Sequence, residues 1–178
     1  MVKIPRNFIK TYHFLGGGIG LTGGSIIIRN GYFDSNSVSD RGGVMDTLKS
    51  QVDIEDALFS GNAASREAGC AYFLASDVKI RGCLFSANNA LSAAGAILSV
   101  GSNQNITNTV FLNNTAIGGR GGAISVENAA GLKASTLHLF KNCTFTLNIV
   151  SEFIFFFISF YSISIFQLKF LFVFSYYH

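Results

Sequence analysis

The sequence predicts an all-β fold: a single-stranded parallel β-helix of about five 26-residue rungs. Three observations predict it. First, one step of 26 residues carries four columns of identical residues: Phe33, Phe59, Phe85 and Phe111; Asn36, Asn62, Asn88 and Asn114; Ile28, Ile54, Ile80 and Ile106; Gly17, Gly43, Gly69 and Gly95. Second, each copy is cut by Gly, Asn, Asp or Ser into pieces too short for a helix. Third, the same step sets opposite charges side by side.

A fixed period of this length marks a stacked repeat architecture. Short strands in a 26-residue copy can hardly pair with one another, so each pairs with its counterpart in the next copy, one coil per rung. Like residues then stack. The Phe column fills the interior with the Ile column beside it. Two residues before each Phe stand Gly31, Ala57, Cys83, Thr109 and Cys143, small as an inward site beside a large ring requires. The Asn column is expected at a bend, because Asn tolerates the left-handed conformation and stacked amides bond between rungs. The Gly column is expected at a turn where a Cβ would be costly.

Taken in order, residues 1–15 read as a partial rung or an N-terminal cap, with Phe8 in the Phe position. Residues 16–150 hold the repeats. Three extended pieces are expected per copy, for example Cys70 to Leu74, Val78 to Ile80 and Cys83 to Phe85. Val52, Ile54, Val78 and Ile80 alternate with charged neighbours, the period of a half-buried strand. Stacking at 26 sets Arg29 beside Glu55, Glu55 beside Arg81, Asp53 beside Lys79, Arg41 beside Glu67 and Asp40 beside Arg66. A looser fifth copy contains Gly122, Phe145 and Asn148, with its surplus residues around 127–135. Insertions in stacked repeats leave as surface loops.

Residues 151–178 differ in composition. Phe153 to Leu168 carry no charge, and Lys169 is the one charged side chain from there to His178. Roughly 20 apolar residues span a bilayer, and Tyr176 and Tyr177 suit an interface. The tail is read as a membrane-spanning helix, with membrane lipid as its partner. Its aromatic and β-branched content also allows strands, and the same composition would arise from a translated AT-rich non-coding stretch.

Charged residues make up 13% of the chain, well under the ~25% of a typical soluble domain. A net charge of +3 without a basic run argues against nucleic acid as a partner. Met1 to Leu15 shows no apolar core of a secretory leader. Cys83 and Cys143 fall two strand spacings apart, about 9.5 Å, too far for a disulfide. With Cys70 they read as buried free thiols. Sequons stand at Asn105, Asn113 and Asn142, where chance or core use competes with glycosylation. His138 reads as a strand residue. Gly16 to Gly20 is glycine-rich, but no helix pattern follows it, so a phosphate cradle is a poor reading. No metal spacing is present among His and Cys.

The Phe-x-x-Asn motif recurs five times, and Gly121-Gly122-Ala123-Ile124 has a near copy in Ala94-Gly95-Ala96-Ile97. This alternation, over about residues 16–148, resembles the repeat of chlamydial polymorphic outer membrane proteins and related right-handed, pectin-lyase-like β-helix proteins. The resemblance implies the right hand of the coil. It also implies a surface-exposed, adhesin-like protein; this chain has neither a visible leader nor the length for a membrane barrel. Such helices also carry polysaccharide lyases and hydrolases, which need clustered acids with Arg or Lys for the substrate's carboxylates, often with calcium. Most acids here are accounted for by lateral pairing. The expectation is therefore a non-enzymatic surface or adhesion scaffold at the membrane or cell surface, without cofactor or metal. It would meet cell-surface glycans or proteins, or further β-helix rungs through self-association. The alternative is a fragment of a carbohydrate-active enzyme.

Overall fold

The computed structural model describes residues 17–128 and 136–150 in full. It also describes the backbone of short strands at 2–5, 8–9, 12–13 and 166–167. All regular elements among them are strands. They form three parallel sheets, one of ten strands and two of six. Phe33, Phe59, Phe85, Phe111 and Phe145 mark five levels, hence four full turns from first to last.

One rung shows how the sequence builds the coil. Ala71–Leu74 and Asp77–Arg81 lie in sheet A, Leu84–Ser86 in sheet B and Asn89–Ala90 in sheet C. The period of 26 is the pairing register: Ile80 faces Ile54 and Ile106, and Phe85 faces Phe59 and Phe111. The first two expected pieces of each copy share one sheet, and in the second rung they fuse into the single strand Met45–Glu55. A further piece, the one after each Asn, has no counterpart in the sequence reading. It is two residues long and made of Ser, Val, Ala, Asn and Thr in its first four copies, so it has no periodic signature.

The corners set the rung. In the third rung they fall at Ala68, Ala75, Gly82 and Ala87, all with positive φ, 58°, 51°, 65° and 54°. Each is followed by a small or amide side chain at an inward position: Gly69, Ser76, Cys83 and Asn88. The left-handed residue is thus one position before Asn, at Ser35, Gly61, Ala87, Asn113 and Leu147. This corrects the expectation that Asn itself takes the bend; its role is hydrogen bonding. The Gly column likewise sits one residue past the left-handed corner. Its constraint is steric: a Cβ on Gly69 would lie 2.2 Å from the carbonyl oxygen of Gly95 and 2.5 Å from that of Asn89.

Inside the coil, the Phe rings stack in parallel with centroids 4.6–5.0 Å apart and interplanar angles of 4–8°. That separation follows the strand spacing of ~4.8 Å and lies within the favourable range for stacked rings. Phe33, Phe59, Phe85 and Phe111 are fully buried with Ile28, Ile54, Ile80 and Ile106, whereas Phe145 is half-buried. Beside them runs the amide ladder. Asn62 donates from its backbone N–H and from Nδ2 to Asn88 Oδ1 at 3.1 and 2.9 Å, and from Nδ2 to the Phe33 carbonyl at 3.1 Å. Asn36, Asn88 and Asn114 donate to the next amide in the same way, the last of them to Asn148.

At the N-terminal end, Ile9 rather than Phe8 faces Phe33. That step is 24, and it turns Phe8 beside Tyr32. At the other end, Phe166–Gln167 run parallel to Phe140–Lys141 in sheet A. The remainder of the tail, on which the membrane-helix reading rests, lies outside the described residues. No helix among the described residues is long and apolar enough to cross a membrane.

Candidate functional site

Alternation along Val52-Asp53-Ile54-Glu55 buries Val52 and Ile54 and turns the acids outward. Neighbouring rungs bring arginines to them. Arg29 Nε reaches Glu55 at 2.8 Å and Nη2 reaches Asp53 at 2.7 Å, while Arg81 takes the other Glu55 oxygen. The hydrogen bond to Asp53, with the nearby acids, raises the Arg29 pKa further. Asp53 is held by Arg29 rather than by its register neighbour Lys79, since one planar guanidinium can bind two carboxylates along the strand.

A second charged region lies in the segment that precedes the Gly column. Arg66 pairs with Asp40 at 2.6 Å across one rung. Arg41 faces Glu67 through the backbone but sends its guanidinium to Asp46, at 2.9 Å, and over the Tyr72 ring, 4.3 Å from its centroid. Burial is the largest single influence on Arg41 and opposes its charge, but the Asp46 hydrogen bond together with the charges of Asp46, Tyr72 and Asp40 outweighs it and the pKa is raised. Burial likewise raises the Tyr72 hydroxyl. Arg120 meets Glu127 at 3.4 Å. A second apolar cluster joins Tyr72, Leu98 and Val100 of sheet A to Ala68, Ala93 and Ala94.

The remaining acids are engaged more weakly. Asp34 accepts from Ser35 Oγ at 3.1 Å, and Asp77 accepts from Asn103 Nδ2 at 2.6 Å. Asp56 occupies a left-handed corner, in one column with Asn30, Gly82, Asn108 and Asn142. Among the described residues no group of three His, Cys, Asp or Glu is placed to hold a metal. The cysteines are free and buried, and burial pushes the Cys83 thiol up to about 11, so thiolate chemistry is disfavoured. Gly17 and Gly18 lead into the strand Ile19–Arg29, not into a helix N-terminus. Asn105, Asn113 and Asn142 are all exposed.

Sheet B presents a different outer face. Tyr32, Leu58, Leu84 and Val110 form one outward column, at the register of the residue preceding each Phe. Tyr32 and Val110 are 38% and 37% exposed. The result is an apolar stripe several rungs long on a flat sheet.

Sequence reasoning missed a second ladder. Ser50, Ser76 and Ser102 stand 26 apart at a corner of sheet A. The backbone N–H of Ser50 donates to Ser76 Oγ at 3.2 Å, and that of Ser76 to Ser102 Oγ at 2.9 Å. The signal was the period itself, read for Asn but not for Ser. In the fifth rung the register places Thr136 after Ser102 in this column. Around it Ser99 Oγ, both amide atoms of Gln104 and His138 Nδ1 are buried without a hydrogen-bond partner. His138 Nε2 lies 2.8 Å from Thr136 Oγ1.

Against this geometry, the model of the right-handed β-helix region matches residues 7–152, most of the chain. The coil is thus a right-handed parallel β-helix, and the chain belongs to that family. Neither a curated protein nor a solved structure matches the chain.

Proposed function

We propose that the chain is a non-enzymatic β-helix scaffold of the surface or adhesion type, which presents flat sheet faces to glycans or proteins of a cell surface. The observation that carries this reading is the state of the outer charges. The acids nearest to arginine are neutralised pairwise, Asp53 and Glu55 by Arg29 and Arg81, Asp40 by Arg66, Asp46 by Arg41 and Glu127 by Arg120. A lyase or hydrolase groove needs the reverse, acids grouped beside a cation left free for the substrate's carboxylate. The apolar stripe of sheet B adds a face suited to protein contact.

The test is a paired measurement on the full chain. Binding to immobilised cell-surface glycans and proteins is measured together with release of reducing ends or unsaturated products from acidic polysaccharides. Saturable binding without turnover supports the scaffold. Turnover that survives purification would replace it with the carbohydrate-active reading.

For the tail, the uncharged run Phe153 to Leu168 supports anchoring in lipid, whereas the pairing of Phe166–Gln167 with Phe140–Lys141 supports a strand over the last rung. Vesicle flotation of the full chain separates the two, since a lipid-anchored tail floats and a strand cap does not.

A further inference from the structure

The corner between the sheet A strands Ile97–Val100 and Asn103–Thr107 is polar inside. Gln104 lies in the column of Val52 and Val78 and is 2% exposed, and His138 follows it in register at 5%. Ser99 lies in the column of Phe73 and Val126 and is fully buried. Two rungs earlier the equivalent of Ser99 is Thr47, which bonds through Oγ1 to Ser76 Oγ, 29 residues on, at 3.2 Å. Across the longer fifth copy the same offset becomes 37, as between Phe111 and Asn148, and reaches Thr136, whose Oγ1 is engaged with His138 Nε2 instead. Ser99 Oγ is left without a partner, and it stands where Phe73 carries a phenyl ring. The Gln104 amide and His138 Nδ1 flank the same corner, also unpartnered.

We propose that this corner is an internal water site, in which ordered water bridges Ser99 Oγ, the Gln104 amide and His138 Nδ1. The atoms supply both donors and acceptors, and buried groups of this kind are normally satisfied by protein or by ordered water. The guest is neutral, because no charged side chain lines the two inward columns and burial opposes an unpaired ion.

The test combines a high-resolution crystal structure of the full chain with the substitution Gln104→Val, which restores the residue type of the two rungs below. Density within hydrogen-bond distance of at least two of these atoms is the expected result. Gln104→Val then removes a satisfied amide and strands its water, so the urea midpoint falls. In a dry corner the same change deletes two unpartnered atoms from an apolar column and the midpoint rises. Empty density, or a midpoint at or above that of the parent chain, overturns the proposal. Should the variant not fold, water-to-amide cross-relaxation at Gln104 of the parent chain decides: cross-peaks support the site, and their absence overturns it.

Discussion

Replacing Asn88 by Ala tests the amide ladder in its most enclosed rung. Asn88 is fully buried and makes four side-chain contacts: Oδ1 accepts from the Asn62 N–H and Nδ2, and Nδ2 donates to Asn114 Oδ1 and to the Phe59 carbonyl. Alanine leaves the Asn62 N–H and one Asn62 amide hydrogen unpaired, and removes the second donor from the Phe59 carbonyl, which stays in the sheet ladder. Asn114 Oδ1 keeps the backbone N–H of residue 88 at 3.0 Å. An unsatisfied buried group costs about 1–3 kcal/mol. Two such groups in one network, which do not add independently, give a loss of about 2–4 kcal/mol. The same change at Asn148, half-buried in the last full rung, leaves groups that water can reach, and should cost about 1 kcal/mol. Urea unfolding of both full-length variants, fitted with a common slope, measures the difference. Equal losses, or a loss below about 1 kcal/mol for Asn88→Ala, would show that the ladder accompanies the fold without holding it.

Three further outcomes are expected. Phe85→Ala opens a void between Phe59 and Phe111 and should destabilise by about 3–5 kcal/mol in the same assay; a small effect would mean the column collapses onto the gap. Glu55→Lys sets three cations at strand spacing where Arg29 and Arg81 now share one carboxylate. It should cost about 2 kcal/mol at low salt and visibly less in 1 M salt, and a salt-independent loss would point to packing instead. Burial lowers the pKa of His138 below its ordinary 6.5. Above pH 6.5 the group is neutral in both states; as pH falls the unfolded chain takes the proton first. Stability should therefore decline below pH 6.5, by at most about 1.4 kcal/mol per unit, until the folded pKa is passed. His138→Gln should remove that slope, as read from urea midpoints between pH 7.5 and 5.

What the sequence made legible was whatever one large or chemically distinct residue repeats. Phe, Ile and Asn recur unchanged through four copies, so their register could be read before any coordinate. The left-handed corners could not, because geometry rather than side chain is conserved along each column: Ser35, Gly61, Ala87, Asn113 and Leu147 share one conformation and no chemistry. Outer charges were legible as neighbours, and as partners for Arg29–Glu55, Glu55–Arg81 and Asp40–Arg66, but not for Asp53 and Arg41. Arg41 chooses Asp46 and the Tyr72 ring over Glu67, since a long side chain answers to its nearest acid and aromatic face rather than to register alone. At the N-terminal end the aromatic identity of Phe8 misled, and Ile9 pairs with Phe33 because the step there is 24. The polar corner at Gln104 and His138 was hidden for a different reason. An inward polar residue in a strand looks like an outward one until the register of its neighbours is known.

The amide ladder has a direction. Each Asn sends its N–H and Nδ2 forward to the carbonyl-type oxygen of the following rung, and its second amide hydrogen back to the Phe carbonyl of the preceding one. A rung is therefore complete on its N-terminal side as soon as it forms, and incomplete on its C-terminal side until the next arrives. A chain synthesised from its N-terminus always carries one level of waiting donors, and every new Asn supplies the acceptor for the level below. Growth is vectorial, and the coil is a template for its own next turn. In the amide ladder the two ends of such a coil are unlike, one offering acceptors and the other donors, so this ladder continues only head to tail.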